Sequence, residues 1–344
     1  MQFYMAPMEG LTGYVFRNAY QKNFGDVDKY FTPFITNKKM NYKEINDTAP
    51  EHNRGMHVVP QVLTNRSEDF CEIAKQLEQL GYGTVNLNLG CPSGTVAAKN
   101  RGAGFLALPE ELDCFLEEIF VKCPIRISIK TRIGVEDAEE WSRLLSIYEK
   151  YPLEELIIHP RLQKEFYKGT PHREAFWEAV KCSRHILCYN GDIHSKESYE
   201  QFVQWLKGPW DGMENSSDEK RELILERLKL SEDGVENSAG CIKKVEGIML
   251  GRGILMNPGL VGEIKAGAKM TKEKLKGFHD DVLEGYLAVM SGDRNTLFKM
   301  KELWFYLGSS FTNPDKYLKK IKKVQTVAEY KSIVSNLFYE QELK

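Results

Sequence analysis

The chain has 344 residues, 42% hydrophobic and 28% charged, with a formal net charge of −2, the balance of a water-exposed globular protein with room for one large domain and a smaller one. No apolar run approaches the ~20 residues of a membrane helix, and Met1–Pro7 lacks the basic start and long apolar core of a secretory leader, so a cytoplasmic protein is expected. Seven cysteines without regular spacing point to reduced thiols, and with no pair at zinc-ligand spacing no metal is expected.

Eight short β-rich runs follow one another, each ending in polar or glycine residues: Phe3–Met8, Tyr30–Phe34, His57–Leu63, Thr84–Leu89, Ile125–Lys130, Leu156–His159, Ile186–Asn190 and Gly247–Gly251. Apolar residues at helical spacing lie between most of them, as in Phe70, Ile73, Ala74 and Leu77, or Trp141, Leu144, Leu145 and Tyr148. Thr170-Pro171 has the form of an N-cap followed by a first-turn proline, ahead of Phe176, Trp177 and Val180. This alternation predicts a (β/α)8 TIM barrel. A doubly wound open sheet is the runner-up, but no glycine fingerprint follows the first strand. Residues 36–56 are polar and without clear period, and are expected to form a long loop over one face. Residues 208–246, with 10 acidic and 6 basic side chains, read as an insertion between strands 7 and 8. From about Thr271 the strand pattern stops, and helical patterns cover 273–290, 294–308, 315–323 and 326–339. The expected division is a barrel over 1–268 and a smaller all-helical domain over 269–344. Residues 265–344 carry 15 Lys and Arg against 10 Asp and Glu, a basic tail on an acidic body that suits a polyanionic partner.

In a barrel, chemistry sits where strands end at their C-terminal side. Those ends carry Ala6-Pro7-Met8, Gln61, Asn88 with Cys91, Lys130-Thr131-Arg132, His159-Pro160-Arg161, Asn190-Gly191-Asp192 and Gly251-Arg252-Gly253. Cys91 alone reads as a small residue filling a strand-to-loop corner. Asn190-Gly191-Asp192 and Gly251-Arg252-Gly253, after strands 7 and 8, occupy the place where barrels build phosphate sites. An inward lysine such as Lys130 needs an anionic partner, which the N1–C2=O region of a reduced flavin would supply. Gln61 could bond the edge of that ring as both donor and acceptor.

Taken together, Met5-Ala6-Pro7-Met8-Glu9-Gly10-Leu11-Thr12, Asn88-Leu89-Gly90-Cys91-Pro92, Arg101-Gly102-Ala103-Gly104, Lys130-Thr131-Arg132, His159-Pro160-Arg161, Asn190-Gly191-Asp192 and Gly251-Arg252-Gly253 resemble, in order, the motifs of tRNA-dihydrouridine synthases. The segment 208–246 is about 30 residues longer than that family's pattern. The resemblance implies FMN at the top of the barrel, reduced by NADPH or NADH. It implies hydride transfer to C6 of a uridine, D-loop of tRNA, with Cys91 protonating C5; a thiol of reference pKa ~8.5 suits a general acid at neutral pH. It assigns the flavin to Ala6, Pro7, Met8, Gln61, Lys130, His159, Asn190, Gly191, Asp192, Gly251 and Arg252. Asn88 would orient the uracil, Arg132 and Arg161 would lie nearer the substrate, and Lys99 and Arg101 would meet RNA phosphate.

The helical tail resembles that family's RNA-binding domain, and Lys316, Lys319, Lys320, Lys322 and Lys323 place five lysines in eight residues for phosphate contact. With the flavin site and the RNA-binding region in one chain, a monomer is expected. The competing readings are a dihydroorotate dehydrogenase-like flavoprotein acting on a free pyrimidine and a non-catalytic RNA-binding protein. Leu-Gly-Cys-Pro-Ser in place of an Asn-x-Ser-Cys/Ser-Pro-Asn pattern weighs against the first, and intact Cys91, Lys130, His159 and Arg252 against the second.

Overall fold

The structure is a computed structural model that describes residues 1–207 and 245–344. Its strands are β1 (Gln2–Met5), β2 (Lys29–Phe31), β3 (Val58–Val59), β4 (Gln61–Val62), β5 (Thr84–Leu89), β6 (Arg126–Gly134), β7 (Leu156–Leu162), β8 (Leu187–Tyr189) and β9 (Val245–Leu250). All pairings are parallel, in the order β3-β2-β1-β9-β8-β7-β6-β5-β4. Strands β3 and β4 are two halves of one strand divided at Pro60, which has no N–H to donate. One half pairs with β2 and the other with β5, so the sheet closes on itself and the open-sheet alternative is excluded. The insertion expected at 208–246 lies outside the described residues up to 244; Val245 and Glu246 already belong to β9.

Strand periodicity sorts the side chains. Val85, Leu87, Leu89, Ile127, Ile129, Leu156 and Ile158 face the helices and join the main core. The alternate positions point inward. Tyr4, Ala6, Phe31, Val59, Ile157, Cys188 and Met249 form a separate inner cluster. On the barrel floor the Tyr4 hydroxyl donates to Glu155 at 2.6 Å and Lys29 pairs with the same carboxylate at 3.2 Å.

Two expectations are corrected. The stretch 36–56 is not one loop: Tyr42–Thr48 is helical, started by a capping box in which Asn41 Oδ1 accepts the Glu44 N–H and Glu44 Oε2 accepts the Asn41 N–H. The helix expected to start at Thr170-Pro171 starts at Arg173, with His172 as N-cap. Arg161 holds the carbonyls of Lys168 and Gly169, and Gly169 adopts a φ of +66°, so the chain turns before the helix begins.

The C-terminal helices are Lys272–Val289, Gly292–Leu307, Asp315–Lys323 and Val327–Glu340, close to the periodicity-based bounds. The first of them packs on the helix Tyr14–Asn23, where Phe278 meets Phe16 edge to face at 5.3 Å. The second reaches the end of β1, where the Lys299 ammonium donates to the Gly10 carbonyl at 2.7 Å. Among the described residues no helix is long and apolar enough to cross a membrane, and no group of three or more His, Cys, Asp or Glu could hold a metal ion.

Candidate active site

The C-terminal strand ends surround a cavity of about 330 Å³, within the range of small-ligand sites. Ala6, Pro7, Met8, Asn88, Cys91, Lys130, His159, Asn190, Gly191, Asp192, Gly251 and Arg252 all line it.

Cys91 is held there by Asn88. The Asn88 carbonyl oxygen accepts the backbone N–H of Gly90 at 3.0 Å and of Cys91 at 2.9 Å, and its amide donates to Gln61 Oε1 at 2.7 Å. Gln61 in turn donates to Asn86 Oδ1 at 2.8 Å, and Asn86 donates to the Ser128 hydroxyl at 2.9 Å. The loop after Cys91 folds back on it, with the Ala103 N–H donating to the Cys91 carbonyl at 3.0 Å. Gly102 makes this possible: its φ is +57°, and a Cβ there would lie 2.9 Å from that same carbonyl. Burial pushes the Cys91 thiol above its ordinary pKa, and the Ser93 backbone hydrogen bond and the Lys130 charge only partly oppose this. The thiol therefore keeps its proton at neutral pH.

Lys130 sits beside Asn88 in the adjacent strand. Burial, with Arg132 nearby, lowers its ammonium to about 8, and it makes no hydrogen bond or ion pair with any described residue. An inward cation left in that state is a site for an anionic group. His159 is fixed as a neutral tautomer. A guanidinium can only donate, so Arg161 donates to His159 Nε2 at 3.2 Å, which leaves the ring proton on Nδ1. Burial, reinforced by Arg132 and Lys130, holds this imidazole well below its usual pKa.

One carboxylate organises the opposite wall. Asp192 accepts both arms of the buried Arg161 guanidinium, at 3.0 and 2.6 Å, and also Arg252 at 2.6 Å. Burial alone would raise the Asp192 carboxyl, but the Arg161 hydrogen bond and both guanidinium charges bring it below its ordinary value. Two arginines on one aspartate leave this wall with net positive charge. Asn190 ties β8 to β9 by donating to the Met249 carbonyl at 2.8 Å.

Five expected site residues lie off the cavity lining. Gln61 is fully buried, with both amide atoms committed to Asn86 and Asn88. Arg132 is fully buried and donates to the carbonyls of Gly90, Leu162 and Phe166. Arg161 is equally buried, spent on Asp192 and on the Lys168 and Gly169 carbonyls. Both arginines fasten the 162–169 loop, and Arg132 also holds the Cys91 turn through the Gly90 carbonyl. Lys99 is exposed and Arg101 half-buried, both at the Asn65 side of the following loop, outside the cavity.

The lining also holds Glu9, which the first motif contains without a role, and residues that no motif contains, Phe34, Tyr167, His194 and Tyr306 among them. The Tyr167 ring lies 5.5 Å from the Arg132 guanidinium and 5.1 Å from that of Arg252, cation–π distances. Its neighbour Phe166 has a φ of +54°, left-handed backbone at the turn just before Tyr167. Tyr306 comes from the helix Gly292–Leu307, so the helical region supplies part of the wall. No local signal marks either tyrosine.

The family model for dihydrouridine synthase (Dus) matches residues 4–209. A probable tRNA-dihydrouridine synthase of Staphylococcus epidermidis is 27% identical over 266 residues, covering 74% of this chain and 69% of that protein. Probable tRNA-dihydrouridine synthase 2 of Bacillus subtilis is 26% identical over 269 residues, covering 74% and 70%. A probable tRNA-dihydrouridine synthase of Staphylococcus aureus is 29% identical over 210 residues, covering 57% and 62%.

Proposed function

Because the chain belongs to the dihydrouridine synthase family, whose model spans more than half of it, we propose that it reduces the C5=C6 bond of a uridine in tRNA, in the D-loop, with FMN as cofactor and NADPH or NADH as reductant. The observation that carries this reading is the pairing, in one cavity, of a protonated thiol on Cys91 with an ammonium on Lys130 that has no partner among the described residues.

The donor set fits a flavin mononucleotide. Lys130 would meet the anionic N1–C2=O edge of the reduced ring, and neutral His159 has its Nδ1–H available. Ala6, Pro7 and Met8 would form an apolar wall. Asn190, Gly191, Asp192, Gly251 and Arg252 would hold the phosphate side, where net positive charge remains after Asp192 is shared. Gly191 has no room for a side chain, since a Cβ would lie 2.0 Å from the Tyr189 hydroxyl. Gln61 would act from beneath, through Asn88. When bound and reduced, FMN supplies the hydride that adds at C6. Addition at C6 would turn the C4 carbonyl into an enolate whose charge is shared by C5 and O4, and Cys91 Sγ would give its proton to C5; hydride plus proton saturate the bond. Asn88 fixes where that thiol stands, and Arg132 and Arg161 hold the surrounding loops.

The target uridine has to leave its stack to reach the cavity, at a cost of a few kcal/mol. Phosphate contacts by Lys99, Arg101 and the 269–344 region would offset this. On the helix Asp315–Lys323, Tyr317 and Ile321 are buried while Lys316, Lys319, Lys320, Lys322 and Lys323 are exposed. Lys316 pairs with Glu340 at 2.9 Å; the other four have no ion pair with a described residue. The test is direct. Purified protein should carry visible flavin absorbance that NADPH or NADH bleaches, and should form dihydrouridine in tRNA transcripts, read by mass spectrometry. Protein that stays colourless after incubation with FMN would sink the proposal.

A further inference from the structure

We propose that Phe305 is a stacking platform for the nucleobase adjacent to the reduced uridine. This rests on the reading above, that the cavity receives a uridine from an RNA strand. Phe305 lies on the helix Gly292–Leu307 immediately before Tyr306, which lines the cavity together with Cys91. Its ring is 80% exposed and stands nearly perpendicular to the Tyr306 ring, at 5.0 Å and 84°. An aromatic surface therefore runs without interruption from the cavity wall to the outside of the helical region. Seven residues earlier, on the same helical face, Phe298 is 59% exposed, with the Lys299 ammonium 5.7 Å from its ring centre.

Packing does not account for Phe305. The inner side of its helix is filled by Leu297, Met300, Leu303, Trp304 and Leu307, all buried. A large aromatic face left open beside an active cavity has a specific use when the substrate is a polynucleotide. Moving the uridine into the cavity strips its neighbour of a stacking partner, and a ring at the mouth replaces it. Base–aromatic stacking tolerates any base, because every base offers a π face. The occupant is thus the flanking base, placed there by continuity with the cavity.

The full-length holoprotein and an unmodified tRNA transcript test this. Phe305→Ala should raise Kd and KM for the transcript about tenfold, in keeping with the loss of one base stack. Because no charge is removed, the slope of log Kd against log salt should not change. Flavin absorbance and its bleaching by NADPH or NADH should match wild type. Phe305→Trp should keep the wild-type Kd, and Phe305→Leu should behave like Phe305→Ala. Wild-type affinity in Phe305→Ala, or in Phe305→Leu, would overturn the proposal, the latter by showing that apolar cover suffices. A wild-type dimer lost in Phe305→Ala, seen by sedimentation, would overturn it in favour of a second copy of this chain. Wild-type protein that forms no dihydrouridine defeats the underlying reading instead, so the two failures are distinguishable.

Discussion

Removing the Asn88 side chain should loosen the Cys91 turn before it affects anything else. In Asn88→Ala the Gly90 N–H, the Cys91 N–H and Gln61 Oε1 lose their partners together. A buried group left unmet costs about 1–3 kcal/mol. Cys91 is half-buried at the cavity, so water can reach its N–H, and about two of the three penalties apply; the expected loss is about 2–6 kcal/mol. Asn88→Asp separates position from chemistry. An aspartate still accepts both N–H groups but cannot donate to Gln61. The amides of Gln61 and Asn86 can turn over, and the Ser128 hydroxyl can switch from acceptor to donor, so the reversed chain Ser128→Asn86→Gln61→Asp has every polar atom satisfied. Lys130, opposite in the adjacent strand, would offset the added charge. Asn88→Asp should therefore lie within about 1 kcal/mol of wild type, the net worth of a single rearranged hydrogen bond. Urea unfolding followed by tryptophan fluorescence measures both, provided the m-value is unchanged. If Asn88→Ala unfolds at the wild-type midpoint yet makes no dihydrouridine, Asn88 acts on the substrate directly and the positioning argument is wrong.

Four further outcomes are expected. Since burial raises the Cys91 pKa and the acid must be protonated, dihydrouridine formation should stay flat through neutral pH and fall only as pH rises past the ordinary thiol range of ~8.5; a rate already falling from pH 6 to 7 would refute this. Cys91→Ala should retain flavin and its bleaching by NADPH while losing most product. His279, buried between Asp280 and the Tyr330 hydroxyl, has its pKa lowered by burial despite the Asp280 hydrogen bond. The unfolded chain then binds that proton more readily, so the contribution is present above the unfolded value of ~6.5 and is lost as pH falls below it, by up to about 1.4 kcal/mol per pH unit. Urea titrations at pH 7.5 and 5.5 should show a weaker pH dependence in His279→Gln than in wild type. Changing Lys319, Lys320, Lys322 and Lys323 to Ala should weaken tRNA binding and flatten its salt slope by about 0.7–0.9 for each phosphate no longer neutralised; an unchanged slope would remove this helix from the interface.

The barrel and the identity of its strand-end residues were legible in the sequence because a period of two and a period of 3.6 are local properties. Asn88, Lys130 and His159 can be placed at inward strand ends by counting alternate residues. The helix Tyr42–Thr48 escapes such counting although Asn41 and Glu44 stand at capping-box spacing, because its short apolar pattern is weak. What Arg132 and Arg161 do could not be read locally. Each looks like a substrate-binding arginine until the 162–169 loop brings its carbonyls to them and Asp192 arrives from another strand end. Tyr306 joins the cavity from a helix more than 200 residues beyond Cys91, and only the docking of that helix onto the end of β1 decides this. The sequence by itself thus determined which chemistry the strand ends could hold, since residue type sets proton affinity and donor count. The tertiary structure decided which of those groups remain available, because a hydrogen bond already made within the fold cannot also be offered to a ligand.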